Sequence, residues 1–375
     1  MNLSKNQNAL KYWYVPLIDT TSIRHALGRS PKGQSLLAAY TIQIIKLIMG
    51  LEVINLKQGR KLMNLLLEMG HLKNGTFLQS SKDKWATKVN GQGWNGYWIP
   101  FKDQSSKESL QAALKTNTNS ADVGAGCDIV VMGIHGGGMV MGNALMFLAN
   151  YRAWMKELHI RHGIKIGVLT IEYSLSPEIP FPGALNECVA AYRHLVEHQG
   201  IDPRRIIMAG DSAGANLCLT SAIKIRDNYP QIGMPAAQIL FSPYVMSDKP
   251  LKDTPSDYIT NSGVVFYGQA YTHNQPENLT SHFVALTRTP SFAGMPRMLV
   301  FVGGVETLRP SIETFLEKAK ADGVELEVHI KDGMAHDYAL VGDASGPKYI
   351  KEANETIGNF VAQIRDHYVK NSTAA

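Results

Sequence analysis

The sequence predicts an α/β fold in which a mostly parallel central sheet is covered by helices on both faces. From Cys127 onward, short apolar runs rich in β-branched residues alternate with segments of helical periodicity. The runs are continuously apolar, as expected for strands buried on both faces. The predicted strands are residues 128–134, 165–173, 204–210, 236–242, 296–303 and 325–331, with helical segments such as 184–198 and 311–323 between them.

The chain before this pattern divides into two parts. Residues 1–80 have helical periodicity and predict an N-terminal segment of a helical cap. Residues 84–89 and 96–101 are β-type runs joined by the turn-rich NGQGWN, which predicts a hairpin. We therefore expect the main α/β domain over 81–375, within which 244–290, rich in Ser, Asp, Asn and Pro, completes the cap.

Charge and composition exclude several functional classes. The 375-residue chain has 37 Lys and Arg against 32 Asp and Glu, and its net charge of +5 is spread without a block of like charges. This pattern argues against a nucleic-acid partner. The three cysteines, Cys127, Cys188 and Cys218, match neither a disulfide nor a zinc spacing, so reduced thiols in an intracellular, cytoplasmic protein are expected.

The N-terminal part of the chain has no secretory signal pattern and one apolar segment, 33–56. The segment contains Gln43, Lys46 and Glu52, and its charge-free run is shorter than the roughly 18–20 residues that a membrane span needs. We favour a buried cap helix. The alternative is a helix lying flat on a membrane, which would make the protein peripheral to an internal membrane.

Ser212 stands where a strand meets a helix. The run 204–210 ends at Gly210, Asp211 follows, and Ser212-Ala213-Gly214 opens a helical segment. Such a tight turn strains the serine backbone and exposes its hydroxyl, and glycines are needed because a Cβ would collide with the neighbouring elements. The start of the helix also offers free N–H groups to negative charge. A phosphate-binding loop is disfavoured, since the G-x-x-x-x-G-K-[ST] pattern is absent.

A serine nucleophile needs donors for the oxyanion, and the loop after strand 128–134 supplies them. His135 is followed by Gly136, Gly137 and Gly138, whose N–H groups can approach a substrate oxygen closely. The N–H of Ala213 would be the further donor. We expect His135 to orient this loop rather than to act as the base.

The base and the acid are expected after the nucleophile. His336 follows the last predicted strand on a turn marked by Gly333, at the edge that would face Ser212. Glu306 comes directly after the strand 296–303, where a carboxylate would accept a hydrogen bond from imidazole Nδ1. Three other acidic residues are nearer to His336 in sequence than Glu306 is, but short-range geometry would aim their side chains away from the imidazole ring. They are Asp332, Asp337 and Asp343.

Four ordered motifs resemble the hormone-sensitive-lipase branch of the α/β-hydrolase fold. They are HGGG (135–138), YSLSPEIPFPGAL (173–185), IDPRRIIMAGDSAGANL (201–217) and GMAH (333–336). The resemblance covers residues 128–360 and implies a cofactor-independent serine esterase with a helical cap. It also implies that the YSLSPEIPFPGAL segment holds Glu178 near the serine turn, and that two copies can pair through the last strand, 325–331.

The chain departs from the family pattern at two positions, since Glu306 replaces the usual aspartate and Ala215 replaces a usual glycine. The long segment before HGGG is similar to that of steryl-acetyl-hydrolase-like members. We expect the substrate to be an apolar small-molecule ester, such as an acetylated sterol. Two alternatives remain open: an acyltransferase that uses the same acyl-enzyme, and a non-catalytic receptor, which would be expected to have lost part of the triad.

Overall fold

The computed structural model describes residues 39–40, 42–46, 56–62, 65, 85–106, 108–109, 123–246 and 251–373. Within them, eight strands form one sheet. The strands are β1 (Thr87–Gly91), β2 (Trp94–Ile99), β3 (Ile129–Ile134), β4 (Ile166–Ile171), β5 (Ile206–Asp211), β6 (Ala237–Phe241), β7 (Arg297–Gly303) and β8 (Leu326–Lys331). Every strand predicted from the sequence is therefore present.

Helices connect and follow these strands. They are α1 (Leu148–His162), α2 (Gly183–Arg193), α3 (Ser212–Asn228), α4 (Asn261–Thr272), α5 (Pro276–Leu279), α6 (Arg309–Ala321), α7 (Gly342–Ser345) and α8 (Pro347–Thr373). A π-helical turn, His194–His198, extends α2, and short 3₁₀ turns span Pro203–Arg205, Pro230–Ile232 and Leu286–Arg288.

The sheet has the order β1-β2-β4-β3-β5-β6-β7-β8. The first two strands form the predicted hairpin, and β2 pairs antiparallel with β4. All pairs from β4 to β8 are parallel. Each residue of β3, β4 and β5 is buried, which accounts for their continuously apolar sequences.

Two apolar cores lie on the two faces of the sheet. One contains residues of α2, α3 and α6, and the other contains residues of α1 and α8. The fold class is thus confirmed as α/β with helices on both faces. Because β3, β5, β7 and β8 run parallel, the loops that follow them meet at one edge of the sheet.

The N-terminal part of the predicted cap, residues 1–80, lies largely outside the described residues, so the division at residue 80 stays a prediction. Within the described part, residues 42–46 are helical and the side chain of Ile42 is fully buried in the core. Lys46 Nζ donates hydrogen bonds to the carbonyls of Thr254 and Asp257. No helix among the residues that the structure describes is long and apolar enough to cross a membrane.

The start of α3 approaches the end of β3 too closely for a side chain at Gly214. A Cβ there would lie 2.0 Å from the carbonyl oxygen of Ile134 and 2.6 Å from that of His135. Both obstacles are backbone atoms of a buried strand end, which cannot move aside cheaply. We expect Gly214→Ala to destabilise the protein by about 1–3 kcal/mol in chemical denaturation.

Gly358 provides the matched control for this prediction. A Cβ on this buried position of α8 would make only ordinary contacts with His162 and Glu157, at 3.4 and 3.5 Å. We expect Gly358→Ala to be neutral or to stabilise the helix by about 0.5–1 kcal/mol. Equal unfolding free energies for the two variants would contradict the close approach of α3 to β3.

Candidate active site

Ser212 occupies a strained backbone conformation between β5 and α3. Its φ is +49°, in a region of backbone conformation that residues other than glycine rarely adopt. A Cβ at Gly210 would lie 2.6 Å from the carbonyl carbon of Gly214, so the turn leaves no room for a side chain there. The side chain of Ser212 itself is partly exposed. This is the geometry expected of an exposed serine on a strand-to-helix turn.

His135 contacts the glycine loop, residues 136–138, through its buried ring. It is buried, its Nδ1 donates a 2.8 Å hydrogen bond to the carbonyl of Gly136, and its ring stacks on Tyr173 with centroids 4.2 Å apart. The Tyr173 hydroxyl in turn donates to the carbonyl of His135. Burial lowers the pKa of His135 to about 4, so the ring is neutral near physiological pH. These contacts favour an orienting role over a role as base.

Asp211 links the glycine loop to the serine turn. Its Oδ1 accepts a 2.8 Å hydrogen bond from the N–H of Gly136, and a Cβ on Gly136 would lie 2.0 Å from its Oδ2. The amide of Gly136 is therefore engaged by Asp211, which narrows the predicted oxyanion donors to Gly137, Gly138 and Ala213. Burial raises the pKa of Asp211 above its usual range, against the opposing effect of His336.

Glu306 and His336 form a buried pair. The Oε2 of Glu306 lies 3.0 Å from Nδ1 of His336, and their side chains are 0% and 2% exposed. Burial raises the pKa of Glu306, and its hydrogen bond with His336 opposes that rise. For His336, burial lowers the pKa, but the nearby carboxylates of Asp337 and Glu306 outweigh burial and raise it above the ordinary value. The carboxylate thus stabilises an imidazolium, as a triad acid does.

The other ring nitrogen of His336 contacts Asp337. Oδ2 of Asp337 lies 3.2 Å from Nε2, and the carboxyl group is buried. The expectation that Asp337 would be aimed away from the ring is therefore wrong. The reason is its φ of +53°, which turns the side chain back onto the preceding residue.

Ser212 and His336 lie at the same edge of the sheet, but no hydrogen bond joins them in the structure. The carboxylate of Asp211, next to Ser212 in the chain, interacts electrostatically with both His336 and Asp337. The triad of Ser212, Glu306 and His336 accordingly remains a proposal in which one contact has to form.

Asp257 is a site residue that sequence reasoning missed. Its fully buried carboxylate accepts hydrogen bonds from the backbone N–H groups of Thr307 and His336, at 2.7 and 3.1 Å. It thereby joins the loops that carry the acid and the base. The neighbouring Tyr258 donates its hydroxyl to the carbonyl of His336. No local motif marks Asp257, because its partners are distant in sequence.

Glu178, which the resemblance implies is held near the serine turn, lies at the surface of the protein. Its side chain is 63% exposed and forms an ion pair with Arg60. Arg60 also donates to the carbonyls of Val140 and Ser176. Glu178 thus anchors an arginine of the N-terminal segment against the end of the glycine loop.

Comparisons with known proteins agree with this geometry. A family described as alpha/beta hydrolase fold matches residues 131–340. An esterase of Acinetobacter venetianus is 30% identical over 216 residues, which cover 56% of this chain and 68% of that protein. Hormone-sensitive lipase of Bos taurus is 42% identical over 98 residues, 25% of this chain but only 12% of the lipase.

A solved structure agrees over a larger share of the chain. The structure of EstE5 soaked with p-nitrophenyl butyrate superposes with a TM-score of 0.58 at 25% identity, covering 75% of this chain and 85% of that one. The family match over residues 131–340 includes His135, Ser212, Glu306 and His336. The chain therefore belongs to the α/β-hydrolase family, in the branch that contains the esterases and hormone-sensitive lipases.

Proposed function

We propose that this protein hydrolyses carboxylic esters through an acyl-enzyme on Ser212. The observation that carries the proposal is a strained, partly exposed Ser212 at the same edge of the parallel sheet as a buried Glu306–His336 pair. A serine hydroxyl is a poor nucleophile unless a base takes its proton, and an imidazole oriented by a carboxylate is such a base. The names of its relatives, esterases among them, support the same chemistry.

The reaction has two halves. Ser212 Oγ attacks the ester carbonyl while its proton passes to Nε2 of His336, and the imidazolium then protonates the departing alcohol. Water attacks the acyl-enzyme with the same proton transfers, which releases the acid and restores the serine. The ring of His336 has to exchange its contact with Asp337 for one with Ser212 before the first step.

The oxyanion of each tetrahedral intermediate would be held by backbone N–H groups. Gly137 and Gly138 have φ values of +98° and +62°, and a Cβ would lie 2.5 Å from the carbonyl oxygen of Met141 at the first position and 2.6 Å from the ring of Tyr267 at the second. Together with Ala213, at the positive end of the helix α3, they can surround a developing negative charge. Because the amide donors are part of the backbone, no metal or organic cofactor is required.

The substrate that we propose is an apolar ester with a small to medium acyl group. Met139 and Met141, which follow the glycine loop, are almost fully buried in apolar clusters. The practical probe is p-nitrophenyl butyrate, the compound soaked into the similar EstE5 crystal. Product analysis with a competing alcohol would distinguish hydrolysis from acyl transfer, because transfer yields a new ester instead of the free acid.

Two predictions about partners remain from the sequence. Strand β8 is the last strand at one edge of the described sheet, and its residues Val328 and Ile330 are 37% and 40% exposed. Pairing of two copies through 325–331 therefore stays a prediction, which light scattering would test by measuring the mass of the protein in solution. Peripheral membrane contact through 33–56 would be tested by vesicle flotation.

Ser212→Ala should lower kcat for p-nitrophenyl butyrate by about 10³- to 10⁶-fold, because the nucleophile is lost while the rest of the site remains. The fold should be unchanged by circular dichroism and thermal melting. Ser106→Ala, in an exposed loop, is the control and should retain full activity. Undiminished hydrolysis by Ser212→Ala would refute the proposed mechanism.

Glu306→Gln should lower kcat by about 10²- to 10⁴-fold, since the amide no longer stabilises the imidazolium. Because the carboxylate raises the pKa of His336, its loss should also move the acid limb of the kcat/KM profile to lower pH. Glu306→Asp keeps a carboxylate and should retain more activity than Glu306→Gln. The surface variant Glu313→Gln serves as a control. Equal rates for the two Glu306 variants would argue against a charged triad acid.

A further inference from the structure

Asp337 contacts the one atom of His336 that the proposed reaction needs free. Glu306 holds Nδ1, so Nε2 is the nitrogen that has to accept the Ser212 proton. In the structure, Nε2 faces Oδ2 of Asp337 at 3.2 Å. The imidazole is therefore placed between two carboxyl groups, one at each nitrogen.

This contact requires a proton between the two atoms. With Nδ1–H donated to Glu306, a neutral ring would present a lone pair at Nε2, and an ionised Asp337 would present another lone pair to it. Two lone pairs repel at this distance, so either the ring is an imidazolium or Asp337 is a carboxylic acid. In both arrangements Nε2 has no lone pair available for the proton of Ser212.

The side chain of Asp337 has no other described use. Its Oδ1 is buried without a hydrogen-bond partner, and its remaining bonds, to Ser242, Leu340 and Val341, are made by its backbone. A φ of +53° is a conformation that glycine would adopt without strain. A buried, strained carboxyl group with an orphaned oxygen is costly for stability, which is typical of groups kept for function.

The groups that surround Asp337 and His336 favour retention of the proton that these two side chains share. Three further carboxyl groups face the pair: Asp211 at the end of β5, Glu306 after β7 and Asp257 from the loop 251–260. The phenol of Tyr258 lies edge-on to the ring, with centroids 5.6 Å apart. Burial, opposed by His336 and reinforced by these carboxylates, raises the pKa of Asp337 well above its ordinary value.

We propose that Asp337 competes with Ser212 for Nε2 of His336 by sharing a proton with it, so that the resting site becomes active only as this proton is lost to solvent. This inference rests on the proposed function, because it concerns the same base. Once the proton has left, the repulsion between Asp337 and the neutral Nε2 releases the ring toward Ser212. Asp337 is thus a catalytic residue that sets the pH range of the reaction.

Asp337→Gly tests the proposal, because glycine suits the backbone conformation and removes the carboxyl group. The acid limb of the kcat/KM profile for p-nitrophenyl butyrate should move at least about one pH unit lower than in the wild type. At pH values below the acid limbs of both proteins, the variant should therefore be about tenfold faster than the wild type. Above the wild-type limb, the two rates should converge. Asp337→Asn should also move the limb lower, since the amide shares no proton.

Asp332→Asn is the matched control. Asp332 lies exposed on the same turn, so its substitution removes one negative charge without touching the ring, and the limb should stay in place. A limb that is unchanged or higher in Asp337→Gly would overturn the proposal. An equal shift in Asp332→Asn would also overturn it, because the effect would then be one of general charge.

A direct titration separates this inference from the proposed function. The imidazole nitrogens of His336 can be followed by ¹⁵N NMR in histidine-labelled protein and assigned with His336→Gln. The deprotonation midpoint should fall in Asp337→Gly whether or not the protein hydrolyses esters. A fallen midpoint without any esterase activity would contradict the proposed function alone. An unchanged midpoint in an active enzyme would contradict the role of Asp337 alone.

Discussion

The close approach of α3 to the end of β3 is the constraint on which the rest of the site depends. At Gly214 the helix backbone lies so near the carbonyls of Ile134 and His135 that no side chain fits. This approach turns the chain sharply at Ser212, which has a positive φ and is partly exposed. It also brings Asp211 within hydrogen-bond distance of Gly136, so the serine turn and the glycine loop are held as one unit.

The second constraint on the site is the negative charge of the carboxyl groups buried around His336. Buried carboxylates are costly unless they are paired or hydrogen-bonded, and the described site collects several around one imidazole. Asp257 is satisfied by backbone amides, and Asp211 accepts a hydrogen bond from the amide of Gly136. Glu306 and Asp337 each contact the ring of His336 through one oxygen, and the other oxygen of each is buried without a hydrogen-bond partner. This uneven satisfaction makes His336 basic, and it makes the site sensitive to the loss of any one negative charge.

The N-terminal segment reaches both halves of the site through two cations. Arg60 binds the carbonyls of Val140 and Ser176, beyond the glycine loop, and pairs with Glu178. Lys46 binds the carbonyls of Thr254 and Asp257, in the loop that joins the acid to the base. Segments distant in sequence thus brace the oxyanion loop on one side and the acid–base pair on the other.

The sequence by itself determined the strands and singled out Ser212, Glu306 and His336 as candidate site residues, because each depends on local patterns. A buried strand followed by glycines, or a strand-to-helix turn with a serine, is legible within about ten residues. The pairing of Glu306 with His336 followed from the shared edge of parallel strands.

Only the tertiary structure decided how the remaining polar groups are used. The amide of Gly136 is taken by Asp211, Glu178 faces Arg60 at the surface, and Asp257 joins two loops. Asp337 turns onto Nε2 because of a backbone angle that no residue pattern announces. These contacts depend on distances between chain segments far apart in sequence, which hydrophobic periodicity and motif spacing do not encode.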